Sequence, residues 1–224
     1  SVAQVMNKDL LLESGIGFTR STGFLANPYK AVDMLYVDTN SAPFIGPDFG
    51  LPDLWAPVVE GVIERRPEER NQGIWDIRLV QYVDALDASL HGGYRFFIDS
   101  WGISAHTFDV DWVQPIGEWS VTPRFRYYSQ NAASFYEPYF LFSGAAPTAP
   151  SGQFNLAGVP LDAYSSDYRL SAYGALSTGV TVARPLGKAL AFEAGFEFYT
   201  HSGDLRLGGA GLGSWSNFDY YQFN

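Results

Sequence analysis

Residues 105–128 read AHTFDVDWVQPIGEWSVTPRFRYY, and the pattern of this stretch indicates the fold class. Two runs, 105–114 and 119–128, alternate between polar or charged residues and large apolar ones, with PIGE between them. Alternation with a period of two is typical of β-strands, because successive side chains of a strand point to opposite faces. The stretch therefore predicts a hairpin with one apolar face and one charged face.

The same alternation recurs along the rest of the chain. Predicted strands lie at 9–20, 72–83, 90–99, 105–114, 119–128, 167–182, 189–199 and 217–224. Helical periodicity is hard to find, so the pattern predicts an all-β fold and a single domain over 1–224. Short turns at 84–89, 115–118 and 183–188 fall on one rim of such a sheet, and long loops at 21–71, 129–166 and 200–216 fall on the other.

Nearly all charged strand residues fall on one face of their strands. The charges predicted to line that face are Arg78, Arg95, Asp99, Asp109, Asp111, Arg124, Arg126, Asp167 and Arg169. The opposite faces carry aromatic and aliphatic side chains and almost no charge. A soluble β-sandwich also places its charges on one face, so this pattern alone leaves sandwich and barrel open.

Two further features favour a transmembrane barrel. Short turns on one rim with long loops on the other are the arrangement of outer-membrane barrels, as are rings of aromatic residues at the two interfaces. The predicted aromatic girdle consists of Trp75, Trp112, Trp119, Tyr127, Tyr168 and Phe198. We therefore expect an antiparallel up-and-down β-barrel in the outer membrane of a Gram-negative bacterium, with the charged face in its lumen.

Hairpin geometry predicts which charges meet. If PIGE closes the hairpin, opposed residue numbers sum to about 233, and Asp109 faces Arg124. A turn centred on Gly102 gives a sum of about 204 and sets Arg95 beside Asp109. The expected ladder is Arg95–Asp109–Arg124, with Asp111 and Arg126 one step along. A solvated surface of independent charges is the alternative.

The two ends of the chain predict further strands. Residues 1–8, SVAQVMNK, have the pattern of a strand end and its turn, and 217–224 begin a strand shorter than the 9–11 residues that a membrane strand needs. We expect more than eight strands in the intact protein, about twelve to sixteen for an even count. An open sheet edge is then expected at Ser1.

Composition and motifs exclude several function classes. Fourteen Lys and Arg against 24 Asp and Glu give a net charge of −10, which disfavours nucleic acid as a partner. The absence of cysteine removes thiolate metal sites and thiol nucleophiles, and His91, His106 and His201 lack a zinc-site spacing. The GGAGLG at 208–213 lacks the last glycine of a dinucleotide fingerprint. We expect no cofactor, no metal and no enzymatic activity, with a rim-active enzyme as the open alternative.

Five segments carry a family resemblance. They are GFLANPYK at 23–30, RPEER at 66–70, YRFFIDSWGISAHT at 94–107, TPRFRYYSQNAASFY at 122–136 and YSSDYRLSAYGALSTG at 164–179. In this order they resemble a family of outer-membrane barrels from Gram-negative bacteria that is known only as a domain of unknown function. The resemblance implies fold and location. Members of the family often lie in the genome near a flavin transferase and a small lipoprotein, which implies an envelope lipoprotein or redox partner.

Two functions follow as expectations. The first is a porin-like channel or transport barrel, whose partners are outer-membrane lipid and small polar solutes. The second is a structural barrel that holds a periplasmic or surface partner, for which the flavin-linked genomic setting is the reason.

Overall fold

The computed structural model describes residues 1–37, 58–209, 211 and 217–224, and the chain divides into two compact units. The first unit contains residues 1–21, 70–134 and 171–224, and the second contains 22–69 and 135–170. The described strands, in chain order, are β1 (Val2–Asn7), β2 (Leu10–Thr22), β3 (Ala31–Val37), β4 (Val58–Ile63), β5 (Glu69–Val83), β6 (Ala88–Asp99), β7 (Ser104–Ile116), β8 (Trp119–Gln130), β9 (Phe140–Ser143), β10 (Tyr173–Pro185), β11 (Ala191–Ser202) and β12 (Phe218–Phe223).

A nine-stranded antiparallel sheet builds the first unit. Its strand order is β1-β2-β5-β6-β7-β8-β10-β11-β12, so neighbours in the sheet follow one another along the chain once β3, β4 and β9 are set aside. The prediction of an all-β fold with an antiparallel sheet is confirmed. Each of the eight predicted strands has a counterpart, and β1 lies in the segment 1–8 for which a strand end and turn are expected.

Connections of different length lie at opposite ends of this sheet. At one end the strands are joined by 8–9, 84–87, 117–118 and 186–190, and at the other by 23–68, 131–172 and 203–217, with 100–103 as a short exception. The two-residue connection between β7 and β8 needs positive φ, and Gly117 supplies it at +63°.

The two edges of the sheet are β1 and β12. Within the described residues these two strands do not pair with each other, so the sheet has an open edge at β1, as the sequence predicts. In the same part of the chain there is no helix with the length and apolar character needed to cross a membrane.

The second unit has its own sheet and core. Strand β3 pairs antiparallel with β4 and parallel with β9. Alternate side chains of β3, Val32, Met34 and Tyr36, are buried, and the ring of Tyr36 stacks on Phe142 at 4.9 Å. The sequence pattern predicts loops over 21–71 and 129–166, whereas β3, β4 and β9 form a sheet there.

One predicted strand begins later than expected. The pattern predicts a strand at 167–182, but β10 begins at Tyr173, and the chain before it forms a 3-10 turn over Tyr168–Leu170. Oδ1 of Asp167 accepts the backbone N–H of Arg169 at 3.1 Å, which closes a turn in place of an extended strand. Asp167, Tyr168 and Arg169 therefore belong to the second unit and not to the nine-stranded sheet, contrary to the prediction.

Candidate functional site

The apolar face of the nine-stranded sheet is its exposed face. Phe108 and Val110 on β7 and Phe125 on β8 lie in the middle of the sheet, yet their exposed fractions are 41%, 47% and 45%. In a sandwich such side chains pack against a second sheet about 10 Å away. A contiguous apolar surface of this kind is rare on a water-soluble monomer and marks contact with a partner or with lipid.

The polar face contains several buried small or uncharged polar residues. Thr107, Ala175 and Ser177 on this face are buried between larger charged and aromatic neighbours. Gln130 is also buried, and its side-chain amide donates to the carbonyl oxygen of Ser171 at 2.7 Å. The sheet thus exposes large apolar side chains in its middle and buries small polar ones on the other face, where the charged side chains of Arg126 and Asp109 stay about half exposed.

Strand register decides which charges meet on the polar face. Asp109 lies opposite Arg126 on β8 and opposite Gly93 on β6. The predicted pairing of Asp109 with Arg124 and Arg95 is therefore wrong by two residues in both hairpins. The reason is the position of each turn. The β7–β8 turn is residues 117–118 and not the four residues PIGE, and the β6–β7 turn centres on Trp101 and not on Gly102.

Opposite charges nevertheless pair across neighbouring strands. The ion pairs are Arg126 Nε–Asp109 Oδ1 at 3.4 Å and Arg124 Nη1–Glu197 Oε2 at 3.9 Å, and Nδ1 of His91 lies 2.7 Å from Oδ1 of Asp111. His91 and Asp111 join β6 to β7, and Arg126 and Asp109 join β7 to β8. Arg124 and Glu197 join β8 to β11 across β10. The charged face is a row of cross-strand pairs in a register that the sequence alone misplaces.

A charged cavity of about 420 Å³ lies on this face. Gly93 has no side chain to fill the space between Arg78 and Asp109, and an added Cβ would lie 3.5 Å from the Cβ of Asp109. The charged and polar residues that line the cavity are Glu13, Asp76, Arg78, His91, Arg95, Asp109, Asp111 and Arg126. Most of the predicted lining charges therefore come together here.

A second cavity, of about 240 Å³, has aromatic walls. We call it the aromatic cavity; its lining residues are Arg126, Tyr128, Tyr173, Ala175, Ser177 and Tyr199. The sequence analysis did not identify it. Tyr128 shares the strand parity of Arg124 and Arg126, and this is the one local signal that assigns it to the polar face.

A third cavity, of about 290 Å³, lies between the other two. Arg124 and Glu197 line it together with Asp109, Asp111, Arg126 and Ser177. Arg126 borders all three cavities. The three recesses share Arg126 and lie on one polar face, and we call them together the trough; its lining is charged in the first and third cavities and mostly aromatic in the second.

Asp99 lies outside this trough, where it holds the turn between β6 and β7. Its Oδ1 accepts the backbone N–H groups of Trp101 at 3.0 Å and Ile103 at 2.8 Å, and its Oδ2 lies 2.6 Å from Nη2 of Arg70. The Arg70 guanidinium also lies 4.4 Å from the ring centre of Trp101. These contacts give Asp99 a structural role.

Asp167 and Arg169 form a charged cluster in the second unit together with Glu64 and Arg66. Arg66 lies 2.7 Å from both carboxylates, and Arg169 lies 2.6 Å from Asp167. Burial by itself raises the pKa of Asp167. Hydrogen bonds from Arg169 and Arg66 act in the opposite direction and together outweigh burial, so the pKa is lowered to about 2. Among the described residues, no group of three or more His, Asp and Glu side chains is placed to hold a metal ion.

Aromatic residues mark the ends of the sheet, although not all in the predicted places. Trp112 and Trp119 flank the turn 117–118, and Trp119 packs edge-on against Phe192 at 6.1 Å. Trp75 contacts Tyr94 at 6.1 Å towards the other end. Tyr127 and Phe198 lie further inside, opposite Leu176 and Thr178 of β10.

Comparison with known proteins adds a family to this geometry. Neither the curated proteins nor the solved structures contain a match to the chain. One family model matches it over residues 1–222, almost the whole length. The chain therefore belongs to the family described as "Protein of unknown function (DUF3570)".

Proposed function

We propose that the nine-stranded sheet forms the wall of an outer-membrane β-barrel whose polar face is a path for small polar solutes. The observation that carries the proposal is the inverted polarity: Phe108, Val110 and Phe125 are exposed while Thr107 and Ser177 are buried. Transmembrane barrels alternate apolar residues towards lipid with polar residues towards the lumen, which is the pattern of this sheet.

Strand length supports the proposal. Strands β5, β6, β7, β8, β10 and β11 contain 12 to 15 residues each. At about 3.3 Å per residue such strands are about 40 to 50 Å long, enough at a tilt of about 45° to cross the apolar band of about 25 Å that outer-membrane barrels present to lipid. Trp112 and Trp119 at one end suit an interfacial position.

The charges on the polar face suit small polar solutes. Arginine and carboxylate side chains of both signs line one trough, so a solute that passes meets donors and acceptors together. Rings of charged side chains set ion selectivity in other pores. Asp109 borders two of the three cavities, and its charge acts directly on the path.

Conductance in planar lipid bilayers tests this function. The purified full-length protein should produce single-channel steps, and Asp109→Ala should shift the reversal potential in a salt gradient towards anion selectivity, because it leaves the Arg126 charge uncompensated. Asp84→Ala removes the same charge from the turn 84–87, outside the cavities, and should leave selectivity unchanged. A protein that inserts but passes no ions would contradict the channel and favour the structural barrel.

A further inference from the structure

We infer that the aromatic cavity binds the ring of a neutral sugar, a single pyranose unit. The inference rests on the proposed function, since it assumes that solutes reach this face, and it names the class of solute. It is argued from the shape of the cavity, its charge balance and the chemistry of its walls.

Small residues on β10 create the space. In the sheet, Ala175 lies opposite Tyr128 of β8, and Ser177 lies opposite Tyr199 of β11. Both small residues are buried and form the floor. Because neighbouring strands are about 4.8 Å apart, the backbones of β8 and β11 lie about 10 Å apart across β10. Tyr128 and Tyr199 are offset by two residues along β10, so they stand diagonally across the floor, and the space between them suits one flat ring.

Aromatic neighbours hold the walls in place. The ring centres of Tyr128 and Tyr173 are 5.6 Å apart, and the rings of Tyr199 and Tyr220 stack at 4.8 Å. Oη of Tyr128 lies 2.6 Å from Oε1 of Gln130, which is itself buried. Rings packed in this way lose little conformational freedom when a ligand arrives, so they are preorganised for binding.

The charge balance favours a neutral ligand. Among the described residues Arg126 is the one cation that lines the cavity, and Oδ1 of Asp109 lies 3.4 Å from its Nε. A carboxylate ligand would compete with Asp109 for that cation in a trough that also contains Asp111 and Glu197. Hydroxyl groups, by contrast, can accept from the guanidinium and donate to the carboxylate together.

A pyranose matches both surfaces. Its C–H face is apolar and weakly positive, which suits the negative face of a tyrosine ring, and its hydroxyl edge suits Arg126 and Ser177, which line the cavity. The volume of about 240 Å³ lies below the range of about 300–1,000 Å³ for drug-sized ligands, so the cavity fits one ring and not a chain.

Calorimetric titration of the full-length protein with glucose tests the inference, in a detergent without a sugar headgroup. Glucose should bind, and Tyr199→Ala should weaken binding about fivefold or more through loss of a ring contact. Tyr199→Phe retains the ring and should bind within about twofold of wild type. Tyr221→Ala removes a tyrosine from the opposite, apolar face of the sheet and should have no effect.

A second variant tests the same cavity independently of whether Tyr199→Ala folds. Ser177→Val fills the cavity from its floor and should also abolish glucose binding, with far-UV circular dichroism confirming a folded sheet in each variant. The inference is wrong if glucose does not bind, if benzoate binds more tightly than glucose, or if the folded variants bind glucose as wild type does. Conductance measured without sugar on the same preparation tests the channel separately, so the two failures are distinguishable.

Discussion

Buried charges in the second unit are compensated residue by residue. The Glu64 side chain is fully buried, lies 2.7 Å from Arg66 and accepts the hydroxyl of Ser165 at 2.5 Å. Asp167, whose side chain is 4% exposed, accepts from Arg66 and Arg169. Removal of one member would leave an uncompensated charge, which is the costly outcome for a buried pair.

Asp167 should make the second unit sensitive to acid. Its pKa in the folded protein is about 2, below the usual 3.8, so its stabilisation is complete above pH 4 and is lost as the pH falls towards 2. The loss should be about 2 kcal/mol. Urea titrations at pH 5 and pH 2 can measure it through the NMR signals of fluorinated Tyr36 and Tyr164, which lie in the core of this unit.

Asp167→Asn provides the control for this titration. The amide bears no titrating carboxyl, so the difference in unfolding free energy between pH 5 and pH 2 should shrink by the same amount of about 2 kcal/mol. An unchanged difference would show that other carboxyl groups produce the acid sensitivity.

Neighbouring strands of the sheet are matched to each other by charge on one face and by aromatic packing on the other. The side chains of Arg126 and Asp109 are 56% and 47% exposed, so water screens their attraction. Such a pair adds little to the stability of the sheet. Together with the opposed residues Asp111 and Arg124 it favours the observed register, since a shift of β8 by two residues in either direction leaves one of the two aspartates opposite an uncharged residue, Thr122 or Tyr128.

A double-mutant cycle can measure the register directly. Alanine substitutions at Asp109 and Arg126, alone and together, should give a coupling energy of about 0.2–1 kcal/mol in the free energy of unfolding. The cycle for Asp109 and Arg124 should give a smaller value, because these residues are not opposed. A larger coupling for the second pair would contradict the observed register.

A cation should be tolerated on one face of a strand pair and not on the other. Under the proposed function, Phe196→Arg places a charge in lipid at the middle of β11 and should cost about 2–4 kcal/mol of unfolding free energy in lipid vesicles. Gln222→Arg places the same charge on the polar face opposite Glu197 and should cost much less. Equal costs would show that both faces have the same surroundings.

At the scale of the molecule, one chain builds two units with different organisation. The second unit has an apolar core of Val32, Met34, Tyr36, Val62 and Tyr164. The nine-stranded sheet instead exposes apolar side chains on one face and buries small polar ones such as Thr107 and Ser177 on the other. The second unit thus has an apolar interior, whereas the sheet has large apolar side chains at its surface.

Tryptophan quenching by brominated lipids tests this organisation. In variants that retain one tryptophan, lipids should quench Trp119 more strongly, because it lies on the apolar face with 39% of its surface exposed. Trp101 is 3% exposed beside Arg70 and should be quenched weakly. Equal quenching of the two in reconstituted vesicles would argue against a lipid-facing sheet.

Local pattern was sufficient for the strands and their faces. Alternation in 105–114 and 119–128 predicts β7 and β8, and the same parity separates Asp109 and Arg126 from Phe108 and Phe125. This works because the period of two is a property of the extended backbone itself and needs no knowledge of what packs against it. The alternation Val32, Met34, Tyr36 was an equally local signal for β3.

The register of the strands, the pairing of distant strands and the cavities depend on the tertiary structure. A shift of two residues retains the parity of every side chain, so the sequence pattern cannot tell Asp109–Arg126 from Asp109–Arg124. The parallel pairing of β3 with β9 and the meeting of Tyr128 with Tyr199 join residues far apart in the chain. Such contacts depend on turn lengths and on which strands become neighbours. Alternation along one strand contains no information on turn lengths or on which strands become neighbours.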